Sequence, residues 1–323
     1  MSMRYRQLGR SGLTVSVVGL GGNNFRTRCD DEVSRSVVDA AIDAGITLFD
    51  TADVYGDGGS EALLGDVLGR RRDGVVLATK FGLPMPGEPL DEALGSRRYI
   101  HKAVRASLRR LQTDWIDLYQ IHVPDPRTPI GETLAALDDL VHEGLIRYAG
   151  SSGFAGWQVV EAEWTARTAG SARFISAQNH YNLLNREVER ELLPACVAHG
   201  VGVLPFFPLA NGLLTGKHEQ GRPPAPGTRL GNEPERAAWV ATEAALDRVE
   251  ALREVADARG WTLLELAIAW LAAQPAVGSV IAGATKPEQV IANAMAVKHT
   301  EIGPELAAAI DAATTNAETG KTS

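Results

Sequence analysis

"VVDAAIDAGITLFDTA", residues 37–52, passes from one kind of structure to another at a single glycine. Val37, Val38, Ala41 and Ile42 recur at helical spacing, so the first part reads as an amphipathic helix. Gly45 supplies the left-handed residue that ends a helix, and Ile46, Thr47, Leu48 and Phe49 follow at once as an apolar strand. The same passage recurs through Gly144 in "LAALDDLVHEGLIRYAGSS" (134–152) and through Gly200 in "ELLPACVAHGVGVLPFF" (191–207). Helix, glycine, strand is half of a parallel sheet, whose strands are apolar throughout because both faces are covered.

Extending the pattern gives strands at Val15–Gly19, Thr47–Asp50, Val75–Thr79, Ile116–Ile121, Ile146–Gly150, Phe174–Gln178, Gly202–Phe206 and Val277–Ala282. Helical stretches such as "SEALLGDVLG", "YIHKAVRASLRRL" and "LLELAIAWLAA" separate them. Eight strands alternating with helices, without a central linker, predict one (β/α)8 TIM barrel over residues 1–316. A doubly wound open sheet is the rival, but its two-half organisation is absent from the pattern. "YRQLGRSGLTVSVVGLG" places Gly9 to Gly12 between two short runs, which predicts an N-terminal β-hairpin. Gly216–Glu235, "GKHEQGRPPAPGTRLGNEPE", is too rich in Pro and Gly for regular structure and reads as a long lid loop after strand seven. The final "TTNAETGKTS" reads as a frayed tail, disordered over 317–323.

A chain of 323 residues with 45% hydrophobic and 22% charged content is long enough to bury a sizeable core and ordinary enough to be globular. A net charge of −8 argues against nucleic acid as a partner, since phosphate binding wants a basic face. No apolar run approaches the roughly 20 residues that span a bilayer, and the start lacks a secretory signal. Cys29 and Cys196 make neither a disulfide framework nor a metal-ligand spacing, so the expectation is a cytoplasmic protein with two reduced thiols and no metal.

In such a barrel, chemistry gathers at the C-terminal ends of the strands. Those ends carry Asp50, Lys80, His122, Ser152, Gln178 and Phe206, with Tyr55 just beyond Asp50. A carboxylate closing the apolar run "ITLF" and a lysine closing "VVLAT" are suited to form a partly buried ion pair. Lys80 then falls beside Tyr55, where an ammonium is expected to stabilise phenolate and lower the tyrosine pKa. His122 is placed to donate a hydrogen bond to the same spot. The set suits proton transfer onto an oxygen that is gaining negative charge.

These residues lie in "GITLFDTADVYGDGGSEALLGDVL", "LATKFG" and "IDLYQIHVPD", followed by "IRYAGSSGF", "QNHYNLLNR", "FFPLANGLLTGK" and "IAGATKPEQVIANA". With these motifs in order, the chain resembles an aldo-keto reductase over nearly its whole length. It is similar to the bacterial branch that includes potassium-channel beta subunits and sugar or glyceraldehyde-phosphate reductases. The resemblance implies hydride transfer between NADP(H) and a small-molecule carbonyl or alcohol, with NAD(H) as the alternative. Asp50, Tyr55, Lys80 and His122 match the family's catalytic tetrad, with Tyr55 as general acid. Ser152 and Gln178 match its nicotinamide carboxamide contacts, and Phe206 the ring that stacks on the nicotinamide. Pro208, Leu209, Ala210, Lys217 and Arg229 match the loop over the pyrophosphate. Gly283, Thr285, Lys286, Gln289 and Asn293 match the grip on the adenosine end, where Lys286 favours NADP(H). Gly22 and Asn23 join the cofactor set, and Asp50 is counted in it as well. Two departures are Gly153, where the family has Asn or Arg, and Gln289, where it often has Arg.

A substrate pocket is expected around Asn23, Asn24, Phe25, Tyr55, Phe81 and Val123. "GLGGNNF", "NGLLTGKH" and "GSSGF" each miss a required position of the dinucleotide, P-loop and nucleophile-elbow motifs. Trp157, Trp164, Trp261 and Trp270 fall in helical patterns and read as packing. Two other readings keep the barrel: a Schiff-base aldolase using Lys80, which Asp50 opposes by holding the amine charged, and a cofactor-binding subunit that reports redox state.

Overall fold

The computed structural model describes residues 3–87, 92–218, 221–299 and 301–315. A hairpin of β1 (Tyr5–Gln7) and β2 (Thr14–Ser16) precedes eight parallel strands: β3 (Val18–Gly21), β4 (Leu48–Asp50), β5 (Val76–Phe81), β6 (Ile116–Ile121), β7 (Ile146–Ser152), β8 (Phe174–His180), β9 (Gly202–Phe206) and β10 (Val280–Gly283). The ladder runs β10-β3-β4-β5-β6-β7-β8-β9. Its ends meet through a parallel bridge from Val203 to Val277, where the Val203 amide donates to Ala276 O at 2.7 Å. The sheet is thereby a (β/α)8 barrel with an N-terminal hairpin.

The helices are α1 (Asp31–Asp43), α2 (Gly59–Leu68), α3 (Arg97–Leu111), α4 (Ile130–His142), α5 (Gly156–Ala169) and α6 (Leu192–His199). They continue with α7 (Arg229–Asn232), α8 (Pro234–Val240), α9 (Glu243–Asp257), α10 (Leu263–Ala273), α11 (Pro287–Met295) and α12 (Pro304–Thr315). The three repeated passages end alike. Gly45, Gly144 and Gly200 take φ of +79°, +75° and +70°. The next amide then closes on the carbonyl five residues back, from Ile46 to Ala41, Leu145 to Leu140 and Val201 to Cys196, at 2.9, 3.0 and 2.9 Å. Only a residue without a Cβ takes that turn without strain.

Two apolar layers follow from the pleat. Phe49, Leu77, Tyr119 and Ala149 point outward into the shell between strands and helices. Leu48, Ala78, Leu118 and Leu204 fill the barrel interior with Leu8 and Val15 of the hairpin, which plugs one end. Two residues further along three of these strands, the same inward face carries Asp50, Lys80 and Gln120. Apolar residues thus fill the plugged end and polar ones the open mouth.

Four expectations need correction. Val15–Gly19 is not one strand: β2 pairs with β1, and β3 begins at Val18 between β10 and β4. The Pro/Gly-rich stretch after β9 contains α7 and the start of α8. Thr228 caps α7 by accepting from the Gly231 amide, and Pro234 opens α8. Trp157 and Trp164 are not packing residues, being 58% and 71% exposed on α5, whereas Trp270 is buried and Trp261 stacks on His299. Thr314 and Thr315, read with the tail, belong to α12, and residues 317–323 lie outside the described residues.

Candidate active site

At the open mouth, β4 ends on Asp50 and β5 delivers Lys80, which is completely buried. All three ammonium protons are used. Lys80 Nζ donates to Asp50 Oδ2 at 2.7 Å, to Thr51 O at 2.8 Å and to Tyr55 Oη at 3.5 Å. The other Asp50 oxygen accepts from Gln178 Nε2 at 2.8 Å and from Gln120 Nε2 at 3.3 Å. His122, the first residue after β6, meets the Tyr55 ring edge-on at 5.9 Å between centroids. The four residues read as catalytic therefore come together around one hydroxyl.

Burial opposes the charge on Lys80, but Asp50, Tyr55 and their hydrogen bonds outweigh it and raise the pKa. The amine stays protonated, which disfavours a Schiff-base nucleophile. Burial is also the largest influence on Tyr55, and here it wins: the phenol pKa is raised although Lys80 pulls it down. The expected lowering is thereby overturned for the protein alone, because dehydrating a phenolate outweighs one ammonium already shared with a carboxylate. Burial and then Lys80 push His122 down to about 3, so its ring is neutral, and its Nδ1 is buried without a partner. The site combines a neutral phenol, a fixed ammonium and a neutral imidazole. It can give a proton to an oxygen at the mouth and stabilise the charge left behind.

Phe206 ends β9 and stacks on His180 at 5.6 Å with 10° between planes. The chain beyond it is contorted. Phe207, Ala210 and Asn211 have φ of +51°, +45° and +58°, and Asn182 Nδ2 donates to Phe207 O at 2.8 Å. Arg229 lies over the Phe207 ring at 5.6 Å, with its Nε buried and unpartnered. Burial, Arg28 and Arg236 bring its pKa down to about 10. Pro208 is buried, Leu209 half-buried and Lys217 exposed.

On the adjoining side, Gly283 ends β10, and a Cβ there would come within 3.2 Å of Asn23 Oδ1. Gly22 donates its amide to Asp50 O at 2.8 Å, and Asn24 binds Ala284 O at 3.1 Å. Gln289 Oε1 accepts from the Thr285 amide at 2.7 Å, while Lys286 precedes α11 with an exposed side chain. Asn293 is buried with its Oδ1 unpartnered. Ser152 is the Cα register partner of Gln178, and Gly153 has φ +69°, which suits glycine at this turn.

Phe25 and Phe81, read as pocket residues, are fully buried, and Phe81 packs on Tyr119. The sequence reading missed Gln120, although a glutamine two residues before His122 on an apolar strand must share the inward face. It also missed the carbonyl of Thr51, which no sequence pattern reveals. Cys29 and Cys196 are free and buried. Among the described residues no cluster of His, Cys, Asp and Glu could hold a metal ion, and no helix is long and apolar enough to cross a membrane.

A sequence model of the Aldo/keto reductase family matches residues 17–315. The chain is 38% identical over 301 residues to a probable voltage-gated potassium channel subunit beta of Arabidopsis thaliana, covering 91% of each chain. It is 36% identical over 298 residues to the uncharacterized oxidoreductase YrpG of Bacillus subtilis (strain 168), covering 89% of each. Against the aldo-keto reductase NECHADRAFT_45914 of Fusarium vanettenii it is 36% identical, covering 83% of this chain and 80% of the relative. A family match over residues 17–315 and relatives of this identity, on a barrel with a Lys80–Asp50 salt bridge at its mouth, establish that the chain belongs to the aldo/keto reductase family of oxidoreductases.

Proposed function

We propose that the protein is an NADP(H)-dependent reductase that interconverts an aldehyde, ketone or sugar carbonyl and its alcohol, acting in the cytoplasm. Tyr55 gives its proton to the substrate oxygen in reduction and takes it back in oxidation. The observation that carries this is Lys80 Nζ, saturated by Asp50, Thr51 and Tyr55 at the barrel mouth. Lys80 stabilises the phenolate left after proton transfer, and Asp50 fixes the amine in place. The neutral His122 ring orients the carbonyl oxygen through a donated hydrogen bond.

A bound nicotinamide dinucleotide supplies the hydride. The residues present fit such a group. Arg229 Nε and Asn293 Oδ1 are buried polar atoms without partners, one a donor and one an acceptor. Helix α11 begins with Pro287 and has no side-chain cap; the Gln289 amide turns back to Lys286 O at 3.1 Å, and the helix start beside Lys286 would suit a phosphate. Phe206 offers a flat apolar face, and Ser152 offers a hydroxyl. Because Gln178 gives its amide nitrogen to Asp50, its contribution to a carboxamide would come from the amide oxygen. Pro208, Leu209, Ala210 and Lys217 would cover the pyrophosphate.

A Tyr55→Phe variant is expected to bind NADPH, seen by fluorescence, while turnover over a panel of carbonyl compounds falls about 1,000-fold. Full activity in that variant ends the assignment. Parallel assays with NADPH and NADH test the cofactor preference. The beta-subunit name of the Arabidopsis relative favours one second reading, a subunit that reports its cofactor's redox state to a partner. Slow turnover with very slow cofactor release and a stable hetero-complex would select it.

A further inference from the structure

Behind Tyr55 lies an acid for which the proposed reaction has no use. The loop leaving β4 turns Asp53 inward, with its amide donating to Lys80 O at 3.2 Å and only 2% of the residue exposed. One carboxyl oxygen accepts from the Val54 amide at 2.8 Å, and the other meets no donor. Glu61 of α2, fully buried, acts on it electrostatically, but both Glu61 oxygens are engaged. Thr79 Oγ1 donates to one at 2.6 Å and Arg110 Nε of α3 to the other at 2.6 Å. Lys80 of β5 is committed to Asp50, and the buried Tyr119 hydroxyl of β6 has no partner. Glu61, Arg110, Lys80, Tyr119 and Tyr55 are the charged or titratable groups that face Asp53. With the Arg110 guanidinium bonded to Glu61, the like charge of Glu61 and the dry surroundings both disfavour ionised Asp53. Of the two carboxyls, the one lacking a cation of its own is Asp53.

We infer that Asp53 is a positioning residue for the reaction, a buried internal carboxyl with one unpartnered oxygen whose protonation modulates the acid strength of the phenol two residues away. The inference rests on the reading of Tyr55 as proton donor. Burial first, and the charge of Glu61 second, raise the Asp53 carboxyl to about 7, against the pull of the Val54 amide, Arg110 and Lys80. Once ionised, Asp53 opposes phenolate at Tyr55, a smaller influence than those of burial, Lys80 and Asp50. Reduction therefore slows as the pH rises through about 7, because the phenol holds its proton more tightly. The same proton affects folding. A carboxyl whose folded pKa lies above its unfolded value weakens the fold as pH climbs from 3.8 to about 7.

The test is single-turnover oxidation of bound NADPH by a carbonyl substrate, from about pH 5 to about pH 9, in wild type, D53N, E61Q and Y55F. Wild type is expected to slow roughly fivefold through a step near neutrality, and D53N to stay flat at the low-pH rate. E61Q, lacking the like charge, should move the step to lower pH, and it serves as the second variant if D53N fails to fold. Infrared difference spectra of the cofactor-free protein, neutral minus alkaline, should show a protonated-carboxyl stretch that D53N lacks; if D53N does not fold, E61Q should shift its titration downward. An unmoved step in D53N or E61Q, or no step in wild type, overturns the inference while a dead Y55F leaves the functional reading standing. Full turnover in Y55F removes both.

Discussion

On the β4–β6 side of the mouth, Asp50 accepts from Lys80, Gln178 and Gln120, and Lys80 spends every proton it has. On the β9 side, three non-glycine residues within five positions adopt left-handed backbone, and Arg229 Nε is buried with nothing to bind. Such strain costs about 1–3 kcal/mol per residue, and an unpartnered buried donor a similar amount. The Asp50–Lys80 pair is finished by the protein alone, whereas the second region holds costs that a bound molecule can offset. In the function proposed above, the difference separates preorganised chemistry, where the groups must be rigid before charge develops, from ligand capture, where the chain must accept something absent from its own sequence.

The contrast can be broken at either end. Lys80→Met leaves Asp50 buried without its cation, so the protein without cofactor is expected to lose about 3–5 kcal/mol in denaturant unfolding, together with all turnover. If K80M unfolds at the wild-type midpoint, the first region is not the closed network described. Arg229→Ala should do the reverse. Stability without cofactor stays within about 0.5 kcal/mol, while NADPH affinity by fluorescence titration drops roughly tenfold. Unchanged affinity would remove Arg229 from the capture side. Gly153→Ala probes the seam between the two regions, since φ +69° disfavours alanine. It is expected to lower stability by about 1 kcal/mol with little change in kcat, read from thermal melts and steady-state rates.

Much of this was legible in residue order. The repeated helix-glycine-strand passage identified the barrel because a left-handed turn, an apolar helix face and a covered strand are each local requirements. The polar strand ends were legible because alternation along a strand places Asp50 and Lys80 on the face of Leu48 and Ala78. The split between β2 and β3 was hidden, since Val15, Val17 and Val18 are equally strand-like and only pairing partners separate them. The capping signals of α7 and α8 were masked by surrounding Pro and Gly. Trp157 and Trp164 follow a helical period, but periodicity fixes a face and not whether anything covers it.

By itself, the sequence determined the order of elements, the end of the barrel that carries ionisable groups, and the family, because those follow from local chemistry and near-neighbour pattern. Only the tertiary structure decided the protonation balance. Tyr55 is a tyrosine near a lysine in any reading, yet whether its phenol is made more or less acidic depends on how far water is excluded. Asp53 likewise depends on whether Glu61 has already claimed the nearest guanidinium. Solvation free energy is set by everything packed around a group, and residue order does not contain that sum.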